Sequence, residues 1–231
     1  MFLASFACGP WQANCYLLAE RAGGPAVVID PGIDSAQTVR QVVDEHRLRP
    51  VAVLATHGHV DHIGQAAEVA DGYGAPVWID AADEHLLTDP VAGLGPDSAP
   101  LLAQLLPDGL ARPKDVRLYE GETLELAGLE LALAHAPGHT PGCVMLSVPC
   151  PDEAGADELV FTGDVLFAGS IGRTDLPGGD MAQMRRSLAG PVLAIRDSAA
   201  ILPGHGPQSF MGRERATNPY LQPGFLAQGE A

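Results

Sequence analysis

One short stretch of the sequence concentrates side chains that bind metal ions. It runs from His57 to Gly64, reads HGHVDHIG, and holds three imidazoles and one carboxylate within six positions. Neutral histidine and aspartate are preferred ligands of first-row transition metals. His57 and His59 alternate along an extended segment and point the same way, whereas Asp61 and His62 come as the chain turns into a helix. The spacing therefore favours two neighbouring metal ions, although a solvated polar loop after a strand is the simpler alternative.

Three later positions repeat one local pattern, in which an apolar strand ends, small or imino residues tighten the turn, and one ligand-capable side chain follows. They are His139 in PGHTPG, Asp164 in TGD and His205 in PGHG. We expect His139 to be exposed at its strand end. Each signal is weak alone, but an α/β fold collects its site where strands end at one edge of a sheet. Together the three residues supply what the first loop lacks for a two-metal site.

The hydrophobic pattern around these residues predicts an α/β architecture. Residues 2–30 read as a β-meander, and Asp34 or Ser35 is a candidate N-cap for a helix that ends near Arg47. The other predicted strands are 51–55, 75–79, 122–126, 129–135, 143–148, 159–161 and 200–202, and the other predicted helices are 65–73 and 180–188, with Asp180 as N-cap. The acidic segment 151–157 reads as a turn.

Residues 81–115 differ from the rest because glycine and proline interrupt them repeatedly. Asp83-Glu84-His85 opens a short helical stretch, and short turns and helices follow. His85 lies outside any ligand spacing and reads as structural. Long irregular excursions in a compact domain are often functional lids. We therefore interpret 81–115 as a possible flap over the site, with surface decoration as the alternative.

Length and composition limit the classes of function. The chain of 231 residues, 46% of them hydrophobic, fits one globular domain over 1–231. A formal net charge of −16, with Lys114 as the only lysine, argues against nucleic acid as a partner. No apolar run approaches the ~20 residues that span a bilayer, so we expect no membrane partner. The four cysteines form no Cys-x-x-Cys pair, and we expect reduced, mostly buried thiols in a cytoplasmic protein.

Several motifs along nearly the whole chain resemble the metallo-β-lactamase superfamily, and within it the short glyoxalase II-like thioesterases (hydroxyacylglutathione hydrolases). They are Asp30-Pro31-Gly32, Thr56 to Gly64, Pro137 to Gly142, Thr162-Gly163-Asp164, Gly172-Arg173-Thr174-Asp175, Pro203 to Gly206 and Asn218-Pro219-Tyr220-Leu221. The resemblance implies a four-layer αββα sandwich, with two mixed sheets facing each other and helices outside. Asp30 could brace a neighbouring loop by hydrogen bonds or serve as a simple turn residue.

The resemblance also implies a role for each site residue. The implied ligands are His57, His59 and His139 for a first metal and Asp61, His62 and His205 for a second, with Asp164 as the bridging carboxylate. His135 matches no ligand position. We expect a departure from the long glyoxalase II enzymes, whose additional helical domain holds glutathione, because the sequence ends soon after Tyr220. Arg173 stands where those enzymes place a glutathione-contacting lysine, and it could bind a substrate carboxylate or pair with Asp175.

The expected reaction is hydrolysis of a thioester between a small hydroxyacid and a low-molecular-weight thiol, as in S-lactoylglutathione. Two divalent ions, zinc with iron or manganese as alternatives, would generate a metal-bound hydroxide that Asp61 orients. The thiol carrier and the oligomeric state are left open. The alternative is an iron-dependent persulfide dioxygenase of the same fold, which resembles the chain at the same motifs but uses one iron held by two histidines and an aspartate. Lactonase activity is a further hydrolytic option.

Overall fold

Two six-stranded mixed β-sheets form the centre of the structure, which is a computed structural model that describes residues 1–150 and 155–227. The first sheet follows chain order: β1 (Phe2–Cys8), β2 (Ala13–Ala19), β3 (Pro25–Ile29), β4 (Arg49–Leu54), β5 (Val77–Ile79) and β6 (Val116–Leu118). Its first three strands are the predicted antiparallel meander, and β3 to β6 pair in parallel.

The second sheet has the spatial order β12-β11-β10-β9-β8-β7. Its strands are β7 (Thr123–Leu126), β8 (Leu129–His135), β9 (Val144–Pro149), β10 (Glu158–Gly163), β11 (Ala200–Pro203) and β12 (Ser209–Phe210). The pair β10–β11 is parallel, and the other neighbours are antiparallel. Because β8, β10 and β11 therefore run in one direction, their carboxyl ends meet at the same edge of the sheet.

Eight α-helices connect the strands. They are α1 (Ala36–His46), α2 (Val60–Ile63), α3 (Ala66–Tyr73), α4 (Pro90–Leu94), α5 (Ala99–Leu105), α6 (Met181–Ser187), α7 (Met211–Thr217) and α8 (Pro223–Leu226) among the described residues. Short 3₁₀ turns lie at Glu84–Leu87, Pro96–Ser98 and Pro219–Leu221, and a π-helical turn at Leu188–Val192 continues α6. In the described part of the chain, no helix combines the length and the apolarity that crossing a membrane requires.

Three apolar layers hold the sheets and helices together, and they confirm the predicted αββα sandwich. Between the sheets, side chains of the first sheet such as Leu18 and Leu54 pack against Leu146 and Phe161 of the second. On the outer face of the first sheet pack α1 and α3, and on that of the second pack α6, the π-helical turn and α7. Burying one such large apolar side chain stabilises the fold by about 1.5–3 kcal/mol.

The helix predicted at 65–73 is confirmed as α3, and the stretch from His57 to Gly64 contains a separate short helix, α2, before it. One local prediction needs correction. Ser35 occupies the N-cap position of α1, but its side chain makes no capping hydrogen bond. The first N–H of α1, on Ala36, instead donates to the side-chain oxygen of Gln65 at 2.6 Å. A side chain distant in sequence thus replaces the expected local cap.

Other predictions about local structure are confirmed. Residues 81–115 form the expected short turns and helices before β6 begins. Asp180 caps α6 by accepting hydrogen bonds from the N–H groups of Ala182 and Gln183. The four cysteines, Cys8, Cys15, Cys143 and Cys150, are free and buried. Of the turn expected at 151–157, residues 151–154 lie outside the described part of the chain.

Candidate metal centre

The stretch that follows β4 is buried although it is rich in polar groups. β4 ends at Leu54 in the core, and the chain then passes through an extended segment into α2. The exposed fractions of His57, His59 and His62 are 0%, 3% and 0%. Imidazoles that are buried to this extent must have polar partners, because an unpartnered buried polar group costs about 1–3 kcal/mol. The solvated-loop alternative is therefore wrong.

The second sheet brings the three remaining residues to this stretch. His139, Asp164 and His205 follow the carboxyl ends of β8, β10 and β11, which lie at one edge. The structure thus brings together all seven residues singled out in the sequence. Their potential ligand atoms form three overlapping groups, each within 4.8 Å: His57 with His59 and His139, His57 with His62 and Asp164, and Asp61 with His62 and His205.

Distances within this cluster are short. His59 Nδ1 lies 2.8 Å from His139 Nε2, and His205 Nε2 lies 3.2 Å from Asp61 Oδ2. The carboxylate of Asp164 is central, since its oxygens lie 3.3 Å from His62 Nε2, 3.4 Å from His139 Nε2 and 3.5 Å from His205 Nε2. Asp164 thus lies close to histidines of both the first loop and the second sheet.

Hydrogen bonds at the far side of the rings fix which nitrogen faces the cluster. Nδ1 of His139 donates to the carbonyl oxygen of Arg173 at 2.7 Å, and Nδ1 of His205 donates to that of Trp11 at 3.1 Å. A carbonyl oxygen can only accept, so in a neutral ring Nδ1 carries the proton and Nε2 presents a lone pair to the cluster. Such partners orient metal-ligating histidines in known sites.

Asp30 orients the histidines of the first loop through hydrogen bonds. This confirms the bracing role considered from the sequence. Its carboxylate accepts hydrogen bonds from Thr56 N at 2.8 Å, from Thr56 Oγ1 at 2.7 Å and from His62 Nδ1 at 3.0 Å. The Thr56 hydroxyl oxygen in turn lies 3.1 Å from His57 Nδ1. One buried carboxylate therefore sets the orientation of His62 directly and that of His57 through Thr56.

The side chains present fit divalent cations. Among the described residues, the buried atoms His57 Nε2, His59 Nε2 and Asp164 Oδ1 have no hydrogen-bond partner. Buried polar atoms almost always have partners, so atoms left without one indicate a missing ion or water. A set of imidazole nitrogens and carboxylate oxygens suits zinc, iron or manganese. The cluster can therefore hold divalent metal ions, and the donor set does not choose among them.

The electrostatics favour the metal-binding protonation states of His57, His59 and Asp164. Burial lowers the pKa of His57 well below its usual value, and burial together with the nearby His139 lowers the pKa of His59 to about 4. Burial acts to raise the pKa of Asp164, but the adjacent His62 outweighs it and holds this pKa well below its usual value. Neutral imidazoles and an ionised carboxylate are the protonation states that bind a cation.

The pKa of His62 shifts in the opposite direction to those of His57 and His59. Burial acts to lower its pKa, yet the carboxylates of Asp164 and Asp61 outweigh burial and raise the pKa well above its usual value. The two carboxylates therefore favour positive charge at this position, so a bound cation would compete with a proton on His62.

One sequence expectation about the site is wrong. His139 is 3% exposed and does not stand free at its strand end. The segment around Gly172 and Arg173 packs over it: a Cβ atom built on Gly172 would lie 3.1 Å from His139 Nδ1. His135, predicted to be no ligand, is the last residue of β8, is exposed, and lies with Nε2 2.9 Å from the carbonyl oxygen of Pro141.

An open cavity of about 520 Å³ lies over the cluster. Four apolar side chains contribute to its wall, namely Trp11, Leu94, Phe167 and Leu176, together with His59, Asp61, His139, Asp164, Arg173 and His205. Leu94 belongs to α4 within 81–115. Arg173 lines the cavity and also binds the carboxylate of Asp175 through two hydrogen bonds, of 2.7 and 2.8 Å. The structure thus contains the Arg173–Asp175 pair, and the cavity leaves the guanidinium accessible.

Sequence reasoning missed one buried residue at this site. Asp83 was read as the start of a short helix, but it is 0% exposed and contacts both the first loop and the His139 loop. No motif spacing marks it, because its partners are backbone N–H groups and a hydroxyl from segments distant in sequence. The backbone carbonyl of Trp11, which orients His205, was missed for the same reason.

Comparison with known proteins supports a common ancestry for this site and fold. The family model of the metallo-β-lactamase superfamily matches residues 8–205. Rv2581c, an uncharacterized protein of Mycobacterium tuberculosis, is 43% identical over 224 residues, which cover 96% of this chain and 98% of that protein. The hydroxyacylglutathione hydrolase GloC of Haemophilus influenzae is 33% identical over 216 residues, which cover 91% of this chain and 93% of GloC.

Solved structures of known proteins also match this fold. The BLEG-1 B3 metallo-β-lactamase matches with a TM-score of 0.82 and 35% identity, covering 96% of this chain and all of that one (100%). TTHA1623 in a di-iron-bound form matches with a TM-score of 0.75 and 34% identity, covering 94% and 100%. ETHE1 from Myxococcus xanthus shares the fold, with a TM-score of 0.73 and 23% identity, covering 96% and 84%. With the buried histidine and aspartate cluster at the strand ends, these matches show that the chain belongs to the metallo-β-lactamase superfamily.

Proposed function

We propose that this protein is a metal-dependent hydrolase that cleaves a thioester of a small hydroxyacid and a low-molecular-weight thiol. The observation that carries the metal-dependent chemistry is the convergence of seven histidine and aspartate side chains beneath an open cavity. The similarity to GloC, named a hydroxyacylglutathione hydrolase, supports a thioester as the substrate.

In this proposal the cluster holds two divalent cations. His57, His59 and His139 would hold the first, Asp61, His62 and His205 would hold the second, and Asp164 would be shared by both. The central position of Asp164 supports the bridging role. Bound cations supply Lewis acidity, which lowers the pKa of a coordinated water toward ~7 and stabilises negative charge on a carbonyl oxygen. We propose zinc, with iron (as in the di-iron relative) or manganese as alternatives.

Asp61 is the residue to which we assign a catalytic role. Its side chain is 17% exposed and lines the cavity, whereas His57 behind it is fully buried. The carboxylate can therefore accept a hydrogen bond from the attacking water and hold it against the substrate carbonyl. The leaving thiol has a pKa near ~8.5, so its thiolate departs without a strong general acid. Apart from the cluster residues, the described cavity wall consists of four apolar side chains and Arg173, so it offers no further carboxyl or imidazole group as a general acid. A thioester substrate does not require one.

Arg173 and residues 81–115 are proposed to act on the substrate. Arg173 lines the cavity and can bind a carboxylate of the substrate in two-pronged fashion, in competition with Asp175. Leu94 places α4 of the 81–115 segment in the cavity wall, which supports the interpretation of this segment as a flap.

A β-lactam is the second candidate substrate, because BLEG-1 matches the whole fold at 35% identity. The persulfide dioxygenase alternative rests on the shared motifs, including Gly172-Arg173-Thr174-Asp175. The convergence of a full second group, Asp61 with His62 and His205, supports two cations rather than the single iron expected for that alternative.

One set of assays separates these activities. Metals are quantified on the purified protein, which is then offered S-lactoylglutathione, thioesters of other small thiols, a chromogenic cephalosporin, and glutathione persulfide with oxygen uptake recorded. We expect two metal ions per chain and turnover of a thioester. Cephalosporin hydrolysis or oxygen uptake without thioester turnover would replace the proposal with the corresponding alternative.

A further inference from the structure

Asp83 is a buried carboxylate whose described partners are all neutral donors. It is 0% exposed and lies just before the Glu84–Leu87 turn. It accepts hydrogen bonds from Gly58 N at 2.8 Å, from Thr140 Oγ1 at 2.6 Å and from Gly142 N at 3.0 Å. Hydrogen bonds to an ionised acceptor are roughly twice as strong as neutral ones, and three of them compensate burial of the charge.

The donors belong to the two loops that carry the three-histidine group. Gly58 separates His57 from His59, whereas Thr140 and Gly142 directly follow His139. These loops lie about 80 positions apart in the chain, as the separation of His59 and His139 shows. The carboxylate of Asp83 is therefore a direct link between the backbone of the first loop and that of the His139 loop.

Close packing prevents Asp83 from shifting. A Cβ atom on Gly142 would lie 2.5 Å from Asp83 Cγ, and one on Gly58 would lie 3.0 Å from Asp83 Cβ and 2.7 Å from Leu86 Cδ1. Side chains other than glycine would not fit at either position without movement of this region. The two glycines thus bring both loops into hydrogen-bonding range of the carboxylate.

We propose that Asp83 is a positioning residue that sets the distance between the His57–His59 pair and His139, and thereby the cation affinity of the three-histidine group. This inference rests on the proposed function, in which that group holds the first cation. Asparagine at this position keeps the shape but replaces one carboxylate oxygen with an NH₂ group, which cannot accept a hydrogen bond, so at least one of the three donors loses its acceptor. Loss of such outer partners of metal ligands typically lowers metal affinity about 10- to 100-fold.

The test separates the two proposed cation sites by using two backgrounds. His205→Ala removes a ligand from the second group and leaves the three histidines, whereas His139→Ala removes one of the three histidines. The Zn²⁺ affinity of each background is measured by competition with a chromogenic chelator, with and without Asp83→Asn. We expect Asp83→Asn to weaken Zn²⁺ binding about 10- to 100-fold in the His205→Ala background, and to change it within about twofold in the His139→Ala background.

Glu214→Gln is the matched control. Glu214 is also a buried carboxylate that accepts three hydrogen bonds, from Gly169 N, Ser209 Oγ and Asn218 Nδ2. We expect this variant to have a lower Tm than the wild type without a change in Zn²⁺ affinity. Circular dichroism of the metal-free proteins establishes that each variant is folded.

Unchanged affinity in Asp83→Asn, or an equal loss in both backgrounds, would overturn the inference and leave the proposed function standing. A wild-type protein that binds no Zn²⁺, iron or manganese would overturn both. If Asp83→Asn is not recovered folded, Thr140→Val removes a single donor, and Thr140→Ser restores it. We then expect weaker Zn²⁺ binding for valine and recovery for serine, and equal affinities would refute the role.

Discussion

At the scale of single residues, the site consists of pairs in which one side chain can bind a cation and a second group orients it. His62 is held by Asp30, His139 by the Arg173 carbonyl and His205 by the Trp11 carbonyl. Each partner is buried or belongs to the backbone. An imidazole without such a partner would lose its fixed tautomer and ring orientation, which metal binding requires.

The ligand assignment predicts the behaviour of two single variants. We expect His59→Ala and Asp164→Ala each to lower thioester turnover by at least about 10²-fold, because each removes a group that contacts the reacting centre. Both residues lie after strand ends, so the sheets should persist. Turnover and circular dichroism of the purified variants test this. Near-normal turnover in either variant would contradict the cluster as the reaction centre.

The Arg173–Asp175 pair predicts a change in substrate preference. We expect Arg173→Ala to raise KM for a carboxylate-bearing thioester about 10- to 100-fold, as loss of a charged hydrogen bond would, with little effect on an uncharged thioester. Asp175→Asn should lower KM for the anionic substrate, since it removes the competitor for the guanidinium. Steady-state kinetics on the matched substrates measure both. Equal effects on the two substrates would mean that Arg173 makes no contact with the anionic group.

At the scale of elements, two loops approach each other so closely that glycine is required. Gly58→Ala places a Cβ 2.7 Å from Leu86 Cδ1, and we expect a loss of about 1–3 kcal/mol in the free energy of unfolding. Gly72→Ala is the control: this exposed position in α3 has no atom within 4 Å of an added Cβ. There we expect a gain of up to about 1 kcal/mol. Urea unfolding of the metal-free proteins gives both values, and equal changes would reject the close approach.

The flap interpretation predicts that one leucine of 81–115 affects the substrate and another does not. Leu94 lines the cavity, whereas Leu101 is 47% exposed on α5 of the same segment and does not line it. We expect Leu94→Ala to raise KM about tenfold through lost apolar contact, and Leu101→Ala to leave the kinetics unchanged. A KM for Leu94→Ala that equals the wild-type value would favour surface decoration.

At the scale of the whole molecule, loops from both sheets contribute to the cluster at their common edge, so cation binding should stabilise the fold as a unit. An ion present at about 1,000 times its Kd stabilises the folded state by about 4 kcal/mol, which for a chain of this size raises Tm by about 10 °C. We expect chelation to lower Tm by this amount and re-addition of Zn²⁺ to restore it. Thermal unfolding followed by circular dichroism measures the shift. A Tm that is insensitive to chelation would contradict a cation site shared by both sheets.

Much of the fold follows from local patterns. Alternation in Leu129 to Ala134 predicts β8, and the run before His57 predicts β4, because a half-buried or fully buried strand constrains each successive side chain. The way α1 begins was not predictable in this way. Its first N–H, on Ala36, donates to the side chain of Gln65, which lies 29 positions further along the chain.

The sequence by itself determined which side chains can bind a metal ion and where each follows a strand, since strand ends, turns and ligand types are local properties of the chain. Only the tertiary structure decided that His139 is buried, that Asp30 and Asp83 hold the loops, and that the Trp11 carbonyl faces His205. The reason is physical: these interactions are hydrogen bonds between segments far apart in sequence, and they exist only once the two sheets have packed. Backbone N–H and C=O groups are the same at nearly every position, so no residue pattern predicts which of them will form such a hydrogen bond.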